Sequence, residues 1–180
     1  HAGGKACIRF GLGGIKNVGQ GPVDTIIKAR GHQAFSDLND FIRRVDLRQV
    51  GKRPLECLIK VGALDSFGPR KALLLSIDQM VNVSVSNIKA IEMGQLDLFG
   101  GGTVALPHVV LTDNVRVDTD EQLGWEKELL GLYVSDHPLS QYLSQIADKI
   151  SHTSNQLAEV ETNSKVTIGG LVKRVQPSLT

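Results

Sequence analysis

Aromatic residues are scarce in this chain of 180: five Phe, two Tyr and one Trp make up 4% of it. Any hydrophobic core is therefore built mainly from Leu, Ile and Val. The two cysteines, Cys7 and Cys57, lack Cys-x-x-Cys spacing and are too few for a disulfide framework, so a reducing compartment is the expectation. No apolar run approaches the roughly 18 residues of a membrane span, and no secretory signal occurs. A soluble protein without a membrane partner follows. Methionine is found only at Met80 and Met93 and the chain opens on His1, which suggests a piece of something longer or a processed product.

Catalytic signatures are missing too. There is no Walker-type loop, nucleophile elbow or zinc-ligand spacing. Asp118, Asp120 and Glu121 form the densest carboxylate cluster, with Asp113 and Asp136 nearby in sequence but no His ligand pattern. Acidic runs of this kind are usually solvated, although a metal-dependent enzyme built on them is a rival reading. His137, ahead of Pro138, reads as a helix start rather than a base. The expectation is no catalytic residue, no metal ligand and no cofactor within this stretch.

What is present is ordinary in bulk and uneven in distribution. Apolar residues reach 41% and charged residues 22%, as in globular proteins, and the length suits one domain or two small ones. Residues 1–71 carry 13 Lys and Arg against 6 Asp and Glu, a net +7, whereas 72–180 carry 7 against 13, a net −6. A basic block beside an acidic one points the first toward a polyanion, with a solvated lysine-rich face as the plain alternative.

Helical periodicity dominates. Helices are predicted over 10–16, 22–30, 36–45, 52–61 and, behind Pro69, from 69 to about 93. Val81, Val83 and Val85 in the last also fit a strand alternation. Residues 100–124 read as an acidic linker, 125–133 and 138–150 as further helices, and 166–172 as a strand. One strand cannot make a sheet, so it looks like the start of a domain that stops short.

Two turns carry chemistry. Residues 15–27 give an apolar anchor, a Gly19-Gln20-Gly21 turn and a helix started by Pro22. Gly19 and Gly21 let a phosphate approach the backbone, and the amides opening that helix lack intrahelical acceptors at the positive end of its dipole. Lys16 and, farther off, Lys28 and Arg30 add charge, and Val18 before the turn is counted with Lys16, Gly19 and Gly21 among the DNA-contact candidates. This is a helix-hairpin-helix pattern, which holds a nucleic-acid backbone without reading bases. A second turn over 62–68, with Gly68 before Pro69, Arg70 and Lys71, repeats the theme; its Leu64 and Phe67 read as core anchors. Farther on, Gln95, Leu96, Asp97, Leu98 and Phe99 lie between glycines. Such a peptide can dock extended on a partner, Gln95 fixing register and Leu96, Leu98 and Phe99 filling apolar pockets. The alternative is a helix C-terminus packed on its own domain.

The order of these pieces resembles bacterial replicative DNA polymerase III alpha subunits of the C family. The likeness is carried by residues 8–19 (IRFGLGGIKNVG), by Asp46-Leu47-Arg48 and Lys52-Arg53 leading into 58–65 (LIKVGALD), by 127–133 (KELLGLY) and by His137-Pro138-Leu139. It covers almost the whole chain. The resemblance implies a mainly α architecture: a tandem helix-hairpin-helix domain over 1–93, a clamp-binding motif and acidic linker over 94–124, a helical connector over 125–162 and an incomplete OB-fold start over 163–180. It implies sequence-independent binding of double-stranded DNA, docking of residues 95–99 on a sliding clamp, contact with other replisome subunits, and a bacterial cytoplasmic, nucleoid-associated location. The parent would be a DNA-directed DNA polymerase using Mg2+, its metal-binding aspartates lying upstream, so that this piece lacks the active site. A helix-hairpin-helix module of a repair or junction-processing protein, and a structural connector with no affinity for DNA, are the rivals.

Overall fold

Pro22 does not open its helix in the computed structural model, which describes residues 10–92, 107–112, 117–136, 138, 140–170, 172 and 175–176. Helix α1 is Gln20–Arg30 with Gly19 as N-cap, so Pro22 is its third residue. The physics survives the shift, because none of a helix's first four amides has an intrahelical acceptor for proline to remove. Gly31 ends α1 at φ 51°, a conformation that favours glycine. The helix expected over 10–16 shrinks to one 3-10 turn, Leu12–Gly14, since Gly11, Gly13 and Gly14 leave little to hold a longer one.

Helix α2 is Leu38–Arg44, and of the two candidate caps Asp37 is the one used, its carboxylate accepting the Asp40 amide at 2.9 Å. A one-turn helix that periodicity is too short to announce, α3 (Leu47–Val50), is capped by Asp46 through the Arg48 amide. Helix α4 is Lys52–Lys60. The single helix expected behind Pro69 is two, α5 (Arg70–Leu75) and α6 (Ile77–Glu92), broken at Ser76. The valines 81, 83 and 85 are helical. Helix α7, Thr119–Leu130, begins well before the expected 125.

These helices form a first unit, His1–Tyr133, and the rest a second, Val134–Thr180. In the first, α2 packs on α6, α1 and α6 on α3, α4 on α5 and α6, and α7 on α4. Phe41, Ile42, Leu47, Leu55, Leu58, Ile59, Leu73 and Met80 are fully buried, a core led by aliphatic side chains as the composition requires. Leu64 is buried and Phe67 stacks against Phe41, so both anchor the second turn. The Ser84 hydroxyl donates to the Val45 carbonyl at 2.7 Å and accepts the Leu47 amide at 3.1 Å, clipping α6 to the α2–α3 junction. Arg44 donates to the carbonyls of Ala29, Arg30 and Gln33 at the end of α1 and lies over Phe35. Burial alone would raise the pKa of Asp40, but hydrogen bonds from Arg43, the Ser36 amide and Arg44 outweigh it and hold that carboxyl below its ordinary range.

The stretch expected as a linker over 100–124 packs on this unit where it is described. Val109 is buried, its amide donating to Asn39 Oδ1 at 2.8 Å and its carbonyl accepting from Asn39 Nδ2 at 3.2 Å. Leu111 adds to the core, and residues 119–124 are the first turns of α7. Residues 95–99 lie outside the described residues.

In the second unit α8 is Ser140–Ile146, beginning after Pro138, and 3-10 turns occupy Ala147–Lys149 and Ser154–Glu159. There is no strand among the described residues, so the OB-fold start expected over 163–180 is not seen. Thr167 instead pairs locally with Ser151, its carbonyl accepting the Ser151 amide at 2.9 Å and, more weakly, the His152 amide at 3.4 Å, and its amide donating to Ser151 Oγ at 2.8 Å. One such rung does not make a ladder. No described helix is long and apolar enough to cross a membrane.

Candidate nucleic-acid interface

The first hairpin turn is held from below. Ile15 and Val18 are buried, the Val18 amide donates to the Ile15 carbonyl at 3.0 Å, and the Lys16 amide donates to the Leu129 carbonyl of α7 at 2.9 Å. Asn17 takes the left-handed position at φ 66°. That signal was available, because Asn is among the few non-glycine residues that visit this region. Asn17 Nδ2 also donates to Cys57 Sγ at 3.9 Å, fixing the turn against α4.

Gly19 and Gly21 thus serve clearance rather than backbone freedom. Gly19 sits at an unremarkable φ of −77°, and a Cβ built on either glycine would meet nothing within 4 Å. Both are exposed, and Gly19 supplies no side-chain cap. The Gln20 and Gly21 amides, first and second in α1, face the positive end of the helix dipole without intrahelical acceptors. An anion can approach this backbone directly. Lys16 is exposed beside it. Lys28 and Arg30, also exposed, stand at the far end of α1, about 12–15 Å along the axis at 1.5 Å per residue. They do not join the glycine turn.

The second hairpin is built differently. Gly68 is covered by the chain itself: a Cβ there would collide with Leu111 Cδ1. Arg70 is turned inward, its side chain 9% exposed. Its Nε and Nη2 each donate to Asp65 at 2.9 Å, while Nη1 donates to the Lys60 carbonyl at 3.0 Å and to Glu126 at 3.2 Å. Glu126 is fully buried. Burial opposes the charge on Arg70, yet Asp65 and Glu126 raise its pKa above the ordinary value. Of the three residues expected at this turn, only Lys71 presents an exposed cation. What sequence reading missed is Glu126, whose burial nothing in its charged, helical neighbourhood signals.

The acidic trio has a plain structural place. Asp118 is the N-cap residue of α7, and Asp120 and Glu121 lie in its first turn, where carboxylates complement the dipole. Among the described residues no group of three or more His, Cys, Asp or Glu could hold a metal ion.

Two buttressed turns flanked by helices have the pattern of a helix-hairpin-helix motif, and residues 2–74 match the helix-hairpin-helix motif family. Beyond that motif, the chain is 38% identical over 169 residues to DNA polymerase III subunit alpha of Vibrio cholerae, covering 92% of this chain and 15% of the relative. With the same subunit of Mycobacterium leprae it shares 36% over 177 residues, 94% of this chain and 15% of the relative. With that of Campylobacter jejuni it shares 40% over 153 residues, 79% and 12%. The chain is thus homologous, over nearly all its length, to one section of DNA polymerase III alpha subunits, and it spans about 15% of the length of the first of these relatives.

Proposed function

We propose that this chain is the part of a DNA polymerase that holds duplex DNA by its sugar-phosphate backbone and, through residues 95–99, tethers the enzyme to a sliding clamp during chromosome replication. Nucleotidyl transfer and its Mg2+ belong to other parts of such a polymerase. The observation that carries the DNA reading is the open glycine pair at the start of α1, where exposed amides and Lys16 leave room for a phosphate. Backbone contacts suit a replicase, which must traverse every sequence. The clamp reading is supported by the peptide Gln95-Leu96-Asp97-Leu98-Phe99 and its place behind the hairpins. Held together, two modest contacts retain DNA roughly 10²–10⁴ times better than either alone.

Fluorescence anisotropy with unrelated duplexes tests the first half: equal affinities that fall steeply with salt are expected. A preference for branched over plain duplex would mark a junction-processing module instead. For the second half, Leu98→Ala combined with Phe99→Ala abolishes capture by an immobilised bacterial clamp while circular dichroism stays unchanged. Undiminished capture removes the tether.

A further inference from the structure

A cleft of about 380 Å³ opens beside the first hairpin, lined by Asn17, Lys52, Arg53, Glu56, Lys60 and Glu128. Asn17, the left-handed turn residue, is one wall, α4 supplies a second and Glu128 of α7 a third; the bond to Cys57 fixes the first two together. Gly19 lies two positions after Asn17, at most about 7 Å of chain. The cleft therefore adjoins the glycine turn on the same unit, with Asn17 shared between them.

Its cations differ in availability. Lys60 is engaged by Glu56 at 2.6 Å and lies over the Trp125 ring. Lys52 meets Asp78 at 2.6 Å, but that pair is exposed at both ends and exchanges readily with a competing anion. Arg53 is exposed and has no ion pair among the described residues. Its planar fork suits bidentate contact with phosphate. Glu128 repels an anion from its own wall, which leaves the Lys52 and Arg53 side as the one to face phosphate. The sequence here, Gly51-Lys52-Arg53-Pro54, also repeats the build of Gly19-Gln20-Gly21-Pro22, a glycine N-cap without a side-chain bond and proline as third helical residue, with two cations added.

We propose that Lys52 and Arg53 form a second phosphate contact, which extends the first hairpin's hold along the same nucleic-acid backbone and takes the place that the second hairpin, covered by Leu111 and tied through Arg70, does not fill. The proposal rests on the reading of the chain as a duplex binder. Anisotropy titrations of the 180-residue chain with short duplexes across a salt series test it. Arg53→Ala weakens binding about tenfold, the loss of one charge-assisted bond, and makes the log K against log salt line shallower by about 0.9. Lys52→Ala acts the same way and Arg53→Lys keeps the wild-type slope, all with unaltered thermal melts. Wild-type affinity and slope in both alanine variants, while Gly21→Glu loses binding, overturn this contact and leave the duplex reading standing. A wild-type chain that binds no duplex overturns both.

Discussion

Arg70→Ala is expected to destabilise the first unit by about 3 kcal/mol, the effect of removing an ion-pair partner from a buried carboxylate. Glu126 has no exposed surface, and the Arg70 guanidinium reaches it while also binding Asp65 and the Lys60 carbonyl. One side chain therefore ties the second turn to α4 and α7. Urea denaturation followed by the fluorescence of Trp125, the chain's one tryptophan, reports on α7, where that residue sits. The midpoint falls and the slope does not. Arg70→Met with Glu126→Leu recovers most of the loss, because replacing both members by apolar groups removes the charge to be compensated. A loss within about 0.5 kcal/mol for Arg70→Ala, the range of ordinary surface substitutions, would contradict the assignment. The variant's folded fraction binds duplex DNA as the wild type does, since the guanidinium already faces inward.

Gly21→Glu is expected to do the reverse, leaving the fold intact while abolishing DNA binding. Gly21 is the second residue of α1 and a Cβ there meets nothing. A glycine in a helix is about 0.5–1 kcal/mol worse than alanine, and a carboxylate in the first turn gains about 0.3–1 kcal/mol from the dipole. The thermal midpoint therefore holds or rises. The same carboxylate occupies the place of a phosphate and repels its neighbours, so affinity falls by a hundredfold or so, about 2.7 kcal/mol. Gly21→Ala separates bulk from charge: it stabilises α1 and weakens binding less. Undiminished affinity for Gly21→Glu would place the DNA elsewhere.

The two glycine-bearing turns illustrate how far local pattern reaches. Each was legible as a turn before a helix, because glycine and proline act on the backbone at short range. Whether a turn is open is decided by residues far away in sequence. Leu111 covers Gly68 and Glu126 engages Arg70, 43 and 56 positions on, and nothing near Gly68 announces either. The same distance effect hid the packing of 107–112, whose anchor is a side chain, Asn39, that reads as an ordinary polar residue in α2. Boundaries slipped where the deciding term was small. Pro69 and the periodic leucines suggest one long helix, but Ser76 breaks it. The alternation at 166–172 fits a strand, yet among the described residues Thr167 pairs with no ladder and bonds only to the neighbouring Ser151 and His152. The charge division, by contrast, was available from composition, and the exposed Lys16, Lys52, Arg53 and Lys71 all lie in the basic block.

The central claim is that this unit grips nucleic acid through phosphates alone, and the salt dependence of binding tests it most directly. Titrating the wild-type chain against several unrelated duplexes between about 50 and 200 mM salt should place all of them on one line of log K against log salt, with a slope of about −2 to −3 for two or three phosphate contacts. A flat line, or separate lines for different sequences, would contradict it.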